Sequence, residues 1–128
     1  MMIDSSALVA LHLKEPGWET ILDKIARAEI AVISAPALLE SAIVLSARTG
    51  QDARAMLRAS LQRLGIQVVP FTEEHYDAAI DAFLRFGKGR HPASLNFGDC
   101  MAYAAFAVSG LPLLYTGDDF LQTDIEAA

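Results

Sequence analysis

Carboxylates recur in this chain at the positions where an alternating strand-and-helix protein performs its chemistry. Asp4 follows the apolar opening Met1-Met-Ile3, and Glu40 lies near the start of a helix after the apolar run 30–33. Asp99 stands in the first turn of a helix opened by Asn96-Phe97-Gly98-Asp99-Cys100, and Asp118-Asp119 follow the apolar run 111–115. The C-terminal ends of parallel strands share one edge of a sheet, so acids at or just after those ends converge there. Oxygen donors without His or Cys among them favour hard cations such as Mg²⁺ or Mn²⁺. Such ions activate water, neutralise phosphate charge and stabilise a departing oxygen, which makes phosphodiester hydrolysis the leading reaction. Each acid also has a plainer explanation. Asp4 and Asp99 would serve as helix caps or first-turn acids, whereas Glu40, the sole acid of its helix among apolar and small residues, would cost burial energy unless paired or bound to a cation.

The elements that must position these acids follow from periodicity and punctuation. Short strands are expected at 1–3, 30–33, 67–69 and 111–115, with helices over 7–13, 18–28, 36–49, 53–64, from Thr72 onward, and from Asn96 to Gly110. Ser5 and Ser6 offer capping or supporting hydroxyls, Pro36 suits an early helix position, and Gly50 stops the helix that Pro36 opens. Leu39, Ala42, Ile43 and Ser46 are read as the packed face of that helix, and Tyr76, Ala79, Ile80 and Phe83 as the buried stripe of the helix after Thr72. The alternation gives an α/β domain with a mainly parallel sheet. The segment 85–92 is the one local basic loop, and Arg85, Lys88 and Arg90 in it are candidates to touch a phosphate backbone, which would be that of RNA if the leading reaction acts on RNA.

Composition narrows the partners. At 128 residues the chain is read as one domain, and 53% of it is apolar, yet no run approaches the length of a membrane span. The first dozen residues hold Asp4 and His12 without a basic start, so no secretory signal is expected and the cytoplasm is the expected compartment. A net charge of −6 argues against a generic basic nucleic-acid binder, but not against one whose acids gather around metal ions. Cys100, the sole cysteine, forms no internal disulfide and is read as a small buried hydrophobe.

The segment Met2-Ile-Asp-Ser-Ser-Ala-Leu8, the Pro36-x-x-x-Glu40 helix, His91-Pro-Ala-Ser-Leu-Asn-Phe-Gly-Asp-Cys-Met-Ala-Tyr103 and Leu113-Leu-Tyr-Thr-Gly-Asp-Asp-Phe120 together resemble PIN-domain ribonucleases, and more narrowly the VapC toxins of toxin–antitoxin pairs. The resemblance runs through essentially the whole chain in the right order. It implies a PIN-like three-layer α/β/α domain over residues 1–128, a Mg²⁺- or Mn²⁺-dependent endoribonuclease, a homodimer, and inhibition by a VapB-type antitoxin. The catalytic set it implies is Asp4, Glu40, Asp99 and one of the adjacent acids Asp118 and Asp119, of which Asp118 is favoured because it is nearer the strand end, with Asp4 and Asp99 as metal ligands. Asp119 is the alternative fourth acid, and Thr116 is a hydroxyl expected to line the site. Two other readings stay open from the residues alone, a PIN-like RNA- or protein-binding module without catalysis and a metal-dependent phosphatase using Asp4 as nucleophile. The phosphatase pattern of two acids at alternate positions after the first strand is missing, because Ser5-Ser6 follow Asp4.

Overall fold

A computed structural model describes residues 1–128. The elements follow in the order β1 (Met2–Ile3), α1 (Ser5–Leu13), α2 (Trp18–Arg27), β2 (Val32–Ser34), α3 (Ala35–Thr49), α4 (Arg54–Leu64), β3 (Gln67–Val69), α5 (Glu73–Phe86), α6 (Phe97–Ser109) and β4 (Leu113–Leu114). All strand pairs are parallel and the sheet order is β3-β2-β1-β4. The chain therefore lays β1, β2 and β3 outward in one direction and then returns to place β4 on the other side of β1. That reversal makes the gap between β1 and β4 the topological switch point, where α/β sheets open a crevice beyond their strand ends.

The strands are short, and their alternation divides two cores. Ile3, Ile33 and Leu114 face a cluster with Leu8, Ile21, Leu45, Leu57 and Leu61 from α1 to α4. Met2, Val32 and Leu113, one residue earlier in each strand, face Ala82, Phe86, Tyr103 and Ala105 from α5 and α6. Successive side chains of a strand point to opposite faces, so the apolar pairs 2–3, 32–33 and 113–114 supply one residue to each helical layer. The result is the expected α/β/α sandwich.

Helix boundaries have local causes. Ser34 caps α3 by accepting from the Ala37 N–H, and Gly50 ends that helix in the left-handed conformation at φ 72°. The second strand begins two residues later and ends one later than its apolar run suggested, with Ile30 outside it and Ser34 inside. The faces of α3 and α5 also differ from their expected stripes. Helix α3 buries Ala37, Ser41 and Leu45, leaving Leu39 and Ile43 exposed, while α5 buries His75, Ala82 and Phe86, leaving Tyr76, Ile80 and Phe83 exposed. Each helix is thus rotated from its expected stripe, so that part of its large apolar side chains faces outward. Cys100 is buried, as expected.

Candidate active site

Asp4 and Asp99 belong to different halves of the fold and meet at the switch point. Asp4 leaves β1 with its N–H donating 2.9 Å to Leu114 C=O of β4, which ties it to the two strands flanking the switch point. It also caps α1. Its Oδ2 accepts from the Ser6 N–H at 3.0 Å and from the Ser6 hydroxyl at 2.5 Å. Ser6 Oγ in turn accepts from the Thr116 N–H at 3.1 Å, bridging the first helix to the turn after β4. One serine thus fixes the Asp4 rotamer and the path of the loop carrying Asp118 and Asp119. On the other side of the cleft, Asn96 and Asp99 form a reciprocal cap of α6. Asn96 Oδ1 accepts from the Asp99 N–H at 2.9 Å, and Asp99 Oδ2 accepts from the Asn96 N–H at 3.1 Å.

Between them lies a cleft of about 200 Å³ lined by Asp4, Ser5, Ser6, Val9, Glu40, Val44, Gly98, Asp99 and Asp119. Glu40 reaches it from α3, and Gly98 is the surface against which it rests, since a Cβ on Gly98 would stand 3.5 Å from Glu40 Oε2. Contrary to the expected burial cost, Glu40 is exposed, because α3 turns its Ala37–Ser41–Leu45 face to the core and leaves Glu40 at the rim. Of the two adjacent acids after β4, Asp119 lines the cleft, and Asp118 is not among its lining residues. Thr116 contributes through its backbone N–H and is likewise not among the lining residues.

Electrostatics agree with this placement. Burial pushes the Asp4 carboxyl above the usual carboxylate range against the opposing effect of the Ser6 hydrogen bonds, and the Asp119 charge adds to the rise. Burial also raises Asp99, and the charges of Asp119, Asp4 and Glu40 act on it in the same direction. No lysine, arginine or histidine lines the cleft. The ion pairs of the molecule lie elsewhere, between Arg27 and Asp23, Arg48 and Glu15, Arg54 and Asp52, and Arg85 and Asp124. Such a cleft holds like charges that call for a cation. Asp4 Oδ1 and Asp99 Oδ1 take none of the hydrogen bonds just described, so each acid keeps an oxygen for a ligand. No three of these side chains are gathered tightly enough to cage an ion alone. The donors on the cleft walls are carboxylate oxygens without sulfur or imidazole, the kind that hard cations take.

The basic loop is divided in its roles. Arg85 donates to Tyr103 Oη and to Asp124 Oδ2, both at 3.0 Å, holding the C-terminal segment against α5 and α6. Arg90 donates to Leu84 C=O and lies over the Phe83 ring. Lys88 makes none of the ion pairs and borders an apolar hollow beside α6.

The PIN domain model matches residues 1–126. Ribonuclease VapC36 of Mycobacterium tuberculosis is 47% identical over 127 residues, covering 98% of this chain and 91% of that protein. The chain belongs to the PIN-domain family, among the VapC ribonucleases. A second VapC ribonuclease, from Mycolicibacterium smegmatis, is 42% identical over 127 residues and covers 99% of this chain and 98% of its own. The crystal structure of Mycobacterium tuberculosis VapC20, described as a sarcin-ricin loop cleaving toxin, superposes with a TM-score of 0.76 at 20% identity, over 99% of this chain and 97% of that one. At that identity the likeness concerns the PIN fold alone. The capping hydroxyl expected of Ser6 is present, while its link to Thr116 and the cleft walls Val9 and Val44 have no signature in the sequence, because only the fold brings the distant turn and the two valines to the acids.

Proposed function

We propose that this chain is a Mg²⁺- or Mn²⁺-dependent endoribonuclease that hydrolyses RNA phosphodiester bonds as the toxin of a toxin–antitoxin pair. The observation that carries this reading is a cleft at the switch point with Asp4, Glu40, Asp99 and Asp119 on its walls and no cationic side chain among them. Asp4 and Asp99, held by the caps of α1 and α6, are the metal ligands in this reading, and Asp119 replaces Asp118 as the fourth acid. A cation held by these carboxylates would polarise a water and offset the charge of the phosphate. Glu40, exposed at the rim, accepts the proton of the attacking water. Ser6 holds the Asp4 carboxylate in place, and the N-terminus of α6 offsets part of the negative charge on Asp99.

The toxin role draws on relatives named VapC ribonucleases, and brings with it a VapB-type antitoxin and a second copy of the chain as partners. Exposed Tyr76, Ile80, Phe83 and Leu84 on α5 form an apolar face suited to such partners. An antitoxin Arg or Lys would pair with the cleft acids in competition with the cation. No helix is long and apolar enough to cross a membrane, and the proposed place of action is the cytoplasm. The reading is tested by incubating the purified chain with single-stranded RNA after removal of divalent ions. Cleavage should be absent in chelator and return on adding Mg²⁺ or Mn²⁺. Full cleavage in excess chelator would reject the metal mechanism.

A further inference from the structure

The acid cleft continues into a larger groove that the hydrolytic reading leaves unused. This groove, about 830 Å³, shares Glu40 and Gly98 with the cleft, and its other walls include Pro36, Leu39, Phe71, Phe97 and Met101. A neighbouring hollow of about 570 Å³ shares Phe71, Phe97 and Met101 and contains Lys88 in an otherwise largely apolar wall. Phe97 is common to both and is 82% exposed, more than any other large apolar side chain. Its backbone is nonetheless firmly placed, as the first residue of α6 between the Asn96 cap and Gly98, inside the reciprocal Asn96–Asp99 hydrogen bonds. Phe86 pairs with Tyr103 and Tyr115 with Phe120, whereas Phe97, like Tyr76 and Phe83 in the adjoining hollow, packs against no other aromatic ring, and of these Phe97 alone also borders the groove that shares Glu40 and Gly98 with the acid cleft. A rigidly mounted, uncovered aromatic ring two residues from Asp99 is a surface awaiting a flat partner.

We infer that Phe97 is the stacking platform for an unpaired nucleobase of the RNA substrate, beside the phosphate taken by the acid cleft, with Lys88 meeting a backbone phosphate farther along the strand. The inference rests on the endoribonuclease reading and assigns that site a single-stranded substrate held by an aromatic contact. Single-stranded RNA is recognised mainly by splaying bases onto aromatic side chains, a sequence-tolerant contact. A second copy of the chain, or a protein partner, would compete for the same apolar surface. Two features favour the nucleotide. The groove adjoins the acid cleft at Glu40 and Gly98, so a strand that runs from the cleft into the groove carries a base beside its bound phosphate past Phe97, and the lysine in the adjoining hollow complements a phosphate.

The test compares the wild-type chain with Phe97→Leu and Phe97→Trp on a short single-stranded RNA whose cleavage site has been mapped, each flanking nucleotide being replaced in turn by an abasic one. Phe97→Leu should raise KM about tenfold with kcat little changed, and Phe97→Trp should keep the wild-type KM. One abasic substrate should raise the wild-type KM by a similar factor while costing Phe97→Leu almost nothing more, which couples that base to that ring. An unchanged KM in Phe97→Leu overturns the inference, as does a loss equal on every abasic substrate. Sedimentation of each variant is measured alongside, and a KM change that tracks an altered oligomeric mass assigns the face to a second copy and likewise overturns it. A wild-type chain that cuts no RNA with Mg²⁺ or Mn²⁺ overturns the nuclease reading itself, whereas a wild type that cuts and a Phe97→Leu that cuts equally well remove only the stacking subsite.

Discussion

Asp4 caps a helix with a carboxyl held in a buried place, and that burial leaves a thermodynamic trace. Its folded pKa is raised, chiefly by burial, so the folded chain binds a proton more readily than the unfolded chain. The ionised form therefore lowers stability at pH above the folded pKa, and the penalty fades as pH falls toward the ordinary carboxylate value. Without metal, Asp4→Asn should melt no lower than wild type at pH 7, since the amide keeps an acceptor for Ser6 and loses the charge. Any advantage should shrink as the melts are repeated at lower pH, and a large loss of melting temperature at neutral pH would show that the carboxylate is there for the fold. The adjacent acids after β4 separate by position. Asp119→Asn should lower RNA cleavage by about a hundredfold, as losing a charge at the reacting centre does, with Asp118→Asn close to wild type; single-turnover rates decide between them. Equal losses in the two variants would return the fourth role to the pair.

The caps do two jobs at the scale of elements. The side chain of Asn96 holds the first turn of α6, while its own N–H holds the Asp99 carboxylate. Asn96→Ala should cost about 1 kcal/mol of stability in chemical denaturation. It should also lower cleavage at temperatures where the variant remains fully folded, because the turn that carries Asp99 loses its anchor. Activity unchanged in the folded variant would reduce Asn96 to a structural cap. The same elements mark what was legible in the sequence. The strand-helix order, the Asn96 opening of α6 and the Gly50 stop of α3 were readable because each rests on local chemistry. The outward faces of α3 and α5 were not, because periodicity reports that Leu39, Ile43, Tyr76 and Ile80 share a stripe without saying whether the core or a partner covers it. The choice between Asp118 and Asp119 was also illegible, since a turn sets the direction of adjacent side chains and distance from the strand end does not. Arg85 looked like part of a basic loop until the fold brought Asp124 and Tyr103 to it.

At the scale of the molecule, the sheet order makes one site from four distant segments. Parallel β1 and β4 carry Asp4 and the loop of Asp119 to the same edge, and α3 and α6 bring Glu40 and Asp99 over it. Nothing in residues 4, 40, 99 and 119 is unusual singly. Their meeting without a counter-charge, in a chain whose ion pairs lie elsewhere, is what the proposed cation site rests on, and the apolar face left on α5 is the proposed place for partners. The most direct measurement of this account is the cleavage of single-stranded RNA in Mg²⁺ by wild type, Asp4→Asn and Asp99→Asn, each shown by circular dichroism to be folded. The account predicts cleavage by the wild type and a loss of about a hundredfold or more in each variant, and undiminished cleavage by both folded variants would contradict it.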